Sequence, residues 1–189
     1  MKQTHKHQEK KRFNDTKNFL KDLWWFIWED DSIWSWLINL VLAFVLVKFI
    51  IYPGLGLLLG TSFPVVAVVS GSMEHDGNFD TFWAQQENLY TTYGITKEQF
   101  QSFKFKNGFN KGDLMVLYSA KDVKVGDTIV FSGDASEPLI HRVVKIDSGM
   151  YNTKGDHNLG SRSDEVNINQ EKVYGKAILR LPYLGWFKI

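Results

Sequence analysis

Hydrophobic and polar residues divide this chain into unlike stretches. Residues 33–52 form an almost unbroken apolar run that only Ser35, Asn39 and Lys48 interrupt. About 20 such residues in a helix cross a hydrocarbon layer roughly 30 Å thick. A core helix of a soluble protein would show a polar face, and this run has none. The pattern predicts a transmembrane helix over 33–52, and the Pro-Gly pair at 53–54 is expected to end it.

The residues before this run are polar and basic at first and then rich in tryptophan. About 30 residues precede the run, which is more than a cleaved signal peptide carries. Basic residues flank the cytoplasmic end of a membrane helix, and tryptophans gather at the membrane interface. We therefore expect residues 1–32 to form a cytoplasmic basic tail with an interfacial aromatic segment, and residues 53–189 to form a domain outside the cytoplasm. Residues 64–69 read as a buried strand, and the sequence leaves open whether 53–63 enters the membrane.

From residue 111 onward the pattern changes to short apolar runs separated by Gly-Asp, Ser-Gly and Pro. Such runs are typical of hairpins in a small barrel or sandwich. Residues 79–111 differ, since aromatic and apolar residues recur there at helical spacing and predict two short helices. These aromatic residues either pack on the domain or dip into the lipid surface. The predicted fold class is mainly β: a single N-terminal transmembrane helix, then a small β-barrel or sandwich-like domain with a short helical insertion over 79–111.

Composition excludes several functions. The chain has 22 Lys and Arg against 21 Asp and Glu, a net charge of +1, which leaves no basic excess for binding nucleic acid. It has no cysteine, which excludes disulfides, thiolate zinc sites, iron–sulfur clusters and a cysteine nucleophile. No phosphate-binding loop, dinucleotide-binding glycine pattern or paired-histidine zinc motif is present. We therefore expect no cofactor and no metal site.

A pair of serines follows the predicted strand over 64–69. The tripeptide Ser70-Gly71-Ser72 stands at its end, where a hydroxyl would lie at the edge of a cleft. Gly71 leaves room for a substrate backbone to approach. On its own the tripeptide is more often a simple turn, and a serine hydroxyl needs a neighbouring base to act as a nucleophile.

His141 is the histidine best suited to be that base. It lies in an apolar run where strand alternation puts it on one face with Leu139 and Val143. A histidine in this setting is more often a packed core residue, yet a neutral imidazole near pH 7 can accept and return a proton. We expect a carboxylate that orients it in the polar loop after residue 154, because loops of about a dozen residues tend to be functional. Asp156 and Asp164 are both available there.

Three motifs stand in order behind the membrane helix: Ser70-Gly71-Ser72-Met73-Glu74, Ile140-His141-Arg142-Val143-Val144 and Thr153-Lys154-Gly155-Asp156-x-Asn158. This arrangement resembles the type I signal peptidases, and within them the archaeal and endoplasmic-reticulum branch, whose base is histidine. The resemblance covers roughly residues 33–189, and it includes the C-terminal stretch 175–185.

The resemblance implies roles for the residues of the first two motifs. Ser72 matches the nucleophile, and His141 matches the general base. Ser70 matches the serine beside the oxyanion site, and Gly71 and Met73 belong to the same oxyanion and substrate-binding segment.

The resemblance also implies roles for the two acids. Asp164 is the best match to the acid that orients the histidine, and Asp156 matches the acid of the Gly-Asp motif, which supports the site. The chain departs from the family pattern at His75, where proline is common. It departs again in the distance from Asp156 to Asp164, which is longer than usual.

The implied function is that of a membrane-anchored serine endopeptidase, a hydrolase that removes N-terminal signal peptides from exported preproteins at small-residue sites of the Ala-x-Ala kind. Its partners would be signal-peptide-bearing preproteins, the lipid bilayer and accessory membrane subunits. It would be a single-pass protein of the cell membrane, or of the endoplasmic-reticulum membrane in a eukaryote. The sequence leaves two alternatives: a peptidase of the same fold that acts on another membrane substrate, such as a pilin-like precursor, and a non-enzymatic anchored β-domain that binds extended peptides or cell-surface assembly partners.

Overall fold

The computed structural model describes residues 17–187, apart from residue 20 and residues 135–136. Residues 1–16 of the predicted cytoplasmic tail, which spans 1–32, lie outside the described residues. The chain divides into two compact units, Met1–Pro53 and Gly54–Ile189. Most of the apolar helix belongs to the first unit, and the whole sheet belongs to the second.

A long apolar helix, α1, begins at Ile33, where Ser32 caps it by accepting a hydrogen bond from the N–H of Ser35. It has three consecutive parts: Ile33–Leu46 in α form, Val47–Ile51 in π form and Tyr52–Leu59 in α form. By length and composition, this span of 27 residues is the one described helix that could cross a membrane. The prediction of one N-terminal apolar helix is confirmed.

The helix continues to Leu59, past the Pro-Gly pair that the sequence expects to end it. Pro53 has no N–H, and its ring crowds the carbonyl four residues earlier. The π turn lies just before it, with the N–H of Tyr52 bonded to the carbonyl of Val47. This wider turn gives the proline ring room, so the helix is not broken. Gly60, with φ of 64°, ends the helix instead.

Two of the polar residues inside the apolar run bond to a shorter helical segment at 21–28. Ser35 Oγ donates to the carbonyl of Phe26 at 2.5 Å, and Asn39 Nδ2 donates to the carbonyl of Ile27 at 2.8 Å. The last carbonyls of a helix lack partners within it. The two polar side chains therefore complete the hydrogen bonding at the end of segment 21–28.

The second unit is built on one antiparallel sheet. Its strands are β1 Val65–Ala67, β2 Leu114–Tyr118, β3 Thr128–Phe131, β4 Leu139–Asp147, β5 Met150–Lys154 and β6 Val173–Leu181. They lie in the order β1-β2-β6-β3-β4-β5. The edge strands β1 and β5 each have one neighbouring strand. The predicted mainly-β class is confirmed.

The predicted insertion contains two helices, α2 Phe79–Thr92 and α3 Lys97–Ser102. Asn78 caps the first and Thr96 caps the second. Aromatic rings of both helices pack with Val144 of β4 in one buried cluster: Phe82, Trp83, Tyr90 and Phe100. None of these four is more than 3% exposed. The sequence leaves open whether these aromatic residues pack on the domain or dip into the lipid surface. These four rings pack on the domain.

Candidate active site

The serine pair lies just beyond the point where the chain leaves β1. Val68 is buried, whereas Ser70 is exposed and Ser72 is half-buried. The two serine hydroxyls are 3.2 Å apart. The segment therefore brings two hydroxyls to the surface directly after an apolar strand.

Neighbouring segments hold the backbone of this loop. The N–H of His157 donates to the carbonyl of Ser72 at 2.9 Å, and the N–H of Phe109 donates to the carbonyl of Met73 at 3.0 Å. A Cβ atom on Gly155 would lie 2.9 Å from the carbonyl oxygen of Ser72. The Gly-Asp motif thus packs directly on the serine loop, at a distance that favours glycine.

Ser72 and His141 meet, although 69 positions separate them. Ser72 Oγ lies 2.9 Å from Nε2 of His141. His141 stands in β4 and is 4% exposed. Leu139 and Val143 pack together in another buried cluster, as strand alternation predicts. A serine hydroxyl at this distance from an imidazole has the geometry of a nucleophile and its base.

The other ring nitrogen of His141 faces Glu165. Oε1 of Glu165 lies 2.7 Å from Nδ1, and both side chains are buried. The oxygen is off the N–H direction, so the two groups are in close contact without an aligned hydrogen bond. Contacts of this kind often align only when a substrate binds. The second oxygen, Oε2, accepts the N–H of Arg162 at 2.9 Å.

Asp164, the acid expected to orient His141, makes no contact with that ring. Its Oδ2 atom accepts the N–H of Asp134 at 3.0 Å. The guanidinium of Arg162 lies 3.2 Å from each of its two oxygens. Residues 163–165 form a single short 3-10 turn, in which neighbouring side chains point in different directions. The turn directs Glu165 to the imidazole and Asp164 away from it.

Asp156 lies next to the site in a separate set of contacts. Its carboxylate is fully buried and accepts four hydrogen bonds, two from Arg142 at 2.9 and 2.7 Å, one from Tyr90 at 2.7 Å and one from His75 at 2.9 Å. No hydrogen bond or ion pair joins it to His141 among the described residues. The structure therefore brings Asp156 to the neighbour of the base and not to the base itself.

The remaining predicted residues of the serine loop differ in exposure. Met73 is fully buried in a core cluster with Val68 and Phe109, so only its backbone is available to a substrate. A Cβ atom on Gly71 would lie 3.1 Å from the carboxylate of Glu74, so this glycine also makes room for its own turn. The expectation that Gly71 lets a substrate approach stays a prediction.

An apolar cavity of about 270 Å³ opens beside β1. Phe63, Val66, Ala67 and Val69 line one side, and Val130, Glu137, Pro138 and Ile140 line the other. Glu137 is the one charged residue of this lining. The cavity thus lies between the strand that leads to Ser72 and the strand that carries His141.

Curated relatives of the chain share one description. The signal peptidase complex catalytic subunit SEC11 of Fusarium vanettenii is 24% identical over 154 residues, which cover 75% of this chain and 71% of that protein. The human catalytic subunit SEC11C is 28% identical over 152 residues, 74% of this chain and 62% of the human protein. The SEC11 subunit of Leptosphaeria maculans is 26% identical over 165 residues, 79% and 77% of the two chains. This chain is a distant relative of signal peptidase catalytic subunits. No protein-family model and no solved structure matches it.

The resemblance to the archaeal and endoplasmic-reticulum branch of type I signal peptidases is confirmed by these relatives.

In this relative of signal peptidases, the buried carboxylates of Glu165 and Asp156 are both held in the ionised form. Burial disfavours the charge of Glu165, but its contact with His141 and the backbone N–H of Arg162 outweigh burial and lower its pKa below the ordinary value. Burial likewise opposes the charge of Asp156, but the guanidinium of Arg142 and the hydrogen bond from His75 hold its pKa well below the usual range.

Sequence reasoning missed Glu165 because two aspartates were available in the same loop and Asp164 was the best match to the family's orienting acid. No local signal in the sequence singles out Glu165, because it lies one residue further from Asp156 than Asp164 does. His157 is half exposed and lies 3.7 Å from Asp76, away from Ser72 Oγ. Within the described residues, no group of three or more His, Asp or Glu is arranged to hold a metal ion.

Proposed function

We propose that this chain is a membrane-anchored serine endopeptidase that removes signal peptides from exported proteins. The observation that carries the proposal is the 2.9 Å contact between Ser72 Oγ and His141 Nε2, with Glu165 behind Nδ1, in a relative of signal peptidase catalytic subunits. A serine acts as a nucleophile when a base accepts its proton and a third group orients the base.

The reaction follows from this geometry. Ser72 Oγ attacks the carbonyl carbon of the scissile peptide bond while His141 Nε2 takes the hydroxyl proton. The tetrahedral intermediate collapses, the C–N bond breaks, and His141 returns the proton to the departing amine. His141 then takes a proton from a water molecule while the water oxygen attacks the ester carbon; the C–Oγ bond breaks, and His141 returns the proton to Ser72 Oγ. Glu165 holds the Nδ1–H tautomer and stabilises the imidazolium in each half of the cycle.

The oxyanion of each intermediate forms next to the serine loop. The backbone N–H of Ser72 donates to no protein group among the described residues, so it is available to the oxyanion. The hydroxyl of Ser70, 3.2 Å from Ser72 Oγ, is a second donor. One such donor typically contributes about 3 kcal/mol to stabilising the transition state.

The substrate would bind along the edge strand β1. Among the described strands, β1 pairs with β2 alone, so its other edge has no strand partner there and suits strand addition by an extended peptide. The apolar cavity beside β1, about 270 Å³, suits small side chains of an Ala-x-Ala site. The apolar segment of the signal peptide lies in the membrane, so an enzyme anchored by α1 meets its cleavage site at high effective concentration.

The remaining expectations belong to the same proposal. The N-terminus lies in the cytoplasm and the sheet unit outside it, as basic residues ahead of α1 favour. The relatives are named as subunits of a complex, which supports accessory membrane subunits as partners.

The test uses the full chain purified in phospholipid vesicles, with a precursor that carries an Ala-x-Ala signal site. We expect cleavage directly after that site, read by N-terminal sequencing of the product, and no cleavage by the Ser72→Ala variant. Ser62→Ala is the matched control, because Ser62 is exposed and its side chain makes no hydrogen bond in the described region. Unchanged processing by Ser72→Ala would leave the non-enzymatic peptide-binding alternative. Cleavage at a different kind of site would favour another membrane substrate.

A further inference from the structure

The helical insertion contacts the residues that flank the candidate catalytic pair. Tyr90, from α2, donates its hydroxyl to Asp156 at 2.7 Å. His75, three positions after Ser72, donates from Nε2 to the same carboxylate at 2.9 Å, since an ionised carboxylate can only accept. The ring of His75 stacks on Phe82 of α2, with centroids 3.5 Å apart and planes within 5°. Tyr90 of the insertion and His75, whose ring stacks on the insertion, thus each bind one oxygen of the Asp156 carboxylate.

Arg142, the neighbour of His141 in β4, uses all of its five N–H donors. Two bond to Asp156, and one bonds to the carbonyl of Gly126 at 2.9 Å. The other two bond to the carbonyls of Lys104 and Phe105, in the insertion, at 3.0 and 2.9 Å. The insertion therefore supplies two of the five partners of the residue next to the base.

The same contacts reach the serine loop. The backbone N–H of Asp156 points at the sulfur of Met73, at 3.4 Å, and the next residue, His157, bonds to the carbonyl of Ser72. Ser72 and His141 are therefore also connected indirectly. His75, on the same loop as Ser72, bonds to Asp156, and Asp156 bonds to Arg142, the neighbour of His141.

Backbone geometry at the end of the insertion fits a positioning role. Phe105, whose carbonyl receives Arg142, has φ of 55°, a left-handed conformation that is unfavourable for a phenylalanine. Gly108, also left-handed, passes so close to the carbonyl of Met73 and the ring of His75 that a Cβ atom would collide with both. Strain and close approach occur here on the side of the insertion that faces the serine loop.

We propose that the insertion 79–111 and His75 form a positioning element that sets the distance between Ser72 and His141 through the carboxylate of Asp156. This inference rests on the proposed function for its kinetic part. It makes Tyr90 and His75 positioning residues of the reaction, and it gives the insertion a role inside the domain rather than at a lipid or partner surface.

The first test removes one hydroxyl. Tyr90→Phe keeps the ring that packs on Trp83 and Phe100 but deletes the donor to Asp156. We expect kcat to fall about 10- to 100-fold with KM within about twofold, because a small misplacement of reacting groups costs turnover rather than binding. Tyr93→Phe is the matched control, since the hydroxyl of Tyr93 makes only a 3.5 Å contact with Ser161. Equal kcat values for Tyr90→Phe, Tyr93→Phe and the unaltered chain would overturn the proposal.

The second test uses rescue at His75. His75→Gln retains an N–H close to the position of Nε2, whereas His75→Leu fills the space without a donor. We expect His75→Gln to keep at least about tenfold more kcat than His75→Leu. Equal losses in both variants would mean that only packing matters, which contradicts positioning through Asp156. This pair also decides the matter if Tyr90→Phe fails to fold.

A third measurement does not depend on any substrate. The ring ¹⁵N shifts of His141 report whether Nδ1 or Nε2 carries the proton, with a His141→Gln sample to assign the signal. We expect a single Nδ1–H tautomer in the full chain and a mixture in Tyr90→Phe, with no change in Tyr93→Phe. If the chain cleaves no precursor but this shift occurs, the proposed function fails while the positioning role stands. Identical ring shifts in all three proteins would overturn the positioning role alone.

Discussion

Two buried carboxylates lie in unlike surroundings: Asp156 contacts Arg142, and Glu165 contacts His141. Asp156 accepts four hydrogen bonds from three side chains, so it has no free position for another donor. Glu165 accepts one backbone N–H on Oε2 and faces the imidazole with Oε1. A carboxylate whose acceptor positions are all occupied holds its neighbours in place, whereas a carboxylate that faces an imidazole can stabilise a charge on that ring. The comparison supports a structural role for Asp156 and, in the proposed mechanism, an orienting role for Glu165 beside the base.

Glu165→Gln tests the proposed role of Glu165 in the reaction, and of the carboxylate variants it has the largest expected effect. The amide keeps the shape but cannot enforce the Nδ1–H tautomer or stabilise the imidazolium, so we expect kcat to fall about 10⁴-fold with little change in KM. Steady-state cleavage of the precursor measures the loss. A loss under about tenfold would mean that the contact between Glu165 and His141 is not used in catalysis.

Asp156→Asn tests the structural role of Asp156. It removes the charge that faces the fully buried guanidinium of Arg142, and breaking a buried pair typically costs about 3–5 kcal/mol. We expect the free energy of unfolding of the Gly54–Ile189 unit to fall by about that amount, measured by denaturant titration in detergent. Glu165→Gln is the comparison variant, and it should be clearly more stable than Asp156→Asn. The opposite order would exchange the roles of the two carboxylates.

Lys154 is a third buried charged residue near Asp156. Its ammonium is fully buried and donates to the carbonyls of Gly155 and Asp156. Burial lowers the pKa of Lys154 to about 8, against the opposing attraction of Asp156. Between pH 8 and 10.5 the unfolded chain therefore holds a proton that the folded chain has released. Stability should rise with pH across that window by up to about 1.4 kcal/mol per pH unit.

Tyr90 limits this window at its upper end. Burial and the charge of Asp156 raise the pKa of Tyr90 well above its usual value of 10.0, so above pH 10 the unfolded chain alone ionises at this residue and the trend is opposed. The rise that Lys154 causes should be absent in Lys154→Met when unfolding is measured from pH 8 to 10. The same rise in both proteins would mean that the ammonium is not its cause.

Asp164→Asn has the smallest expected effect and separates Asp164 from its neighbour Glu165. Asp164 holds the N–H of Asp134 and the guanidinium of Arg162, and it makes no contact with His141. We expect kcat within about twofold of the unaltered chain and a stability loss of about 1 kcal/mol from the weakened hydrogen bonds. A loss of kcat comparable with that of Glu165→Gln would restore Asp164 as the orienting acid.

The sequence was sufficient for those parts of the molecule whose signals are local. The apolar run of α1, the strand-like runs after residue 111 and the helical spacing of 79–111 each depend on nearest neighbours along the chain. His141 could be paired with Ser72 because the order of the three motifs resembles that of type I signal peptidases, whereas the strand pattern alone favoured a packed core histidine. The predicted length of α1 was too short. The π turn before Pro53 lets the helix continue past the proline, and no residue type in the sequence indicates a π turn.

The long-range contacts of the site were not predictable in the same way. Whether Asp164 or Glu165 faces His141 depends on the rotation of one short turn, residues 163–165, which contacts β5. The meeting of Tyr90, His75 and Arg142 at Asp156 depends on how the insertion folds back over the sheet. Neither packing leaves a periodic pattern in the sequence, so the carboxylate that faces His141 could not be told from the one that Arg142, Tyr90 and His75 surround.

The most direct test of the account is a double-variant cycle on Ser72 and His141, measured as precursor cleavage by the full chain in vesicles. Ser72→Ala and His141→Ala should each reduce kcat to the same background, because nucleophile and base act as one unit. The double variant should then be no slower than either single variant. Losses that add up in the double variant, or substantial cleavage by either single variant, would contradict the claim that these two side chains carry the reaction together.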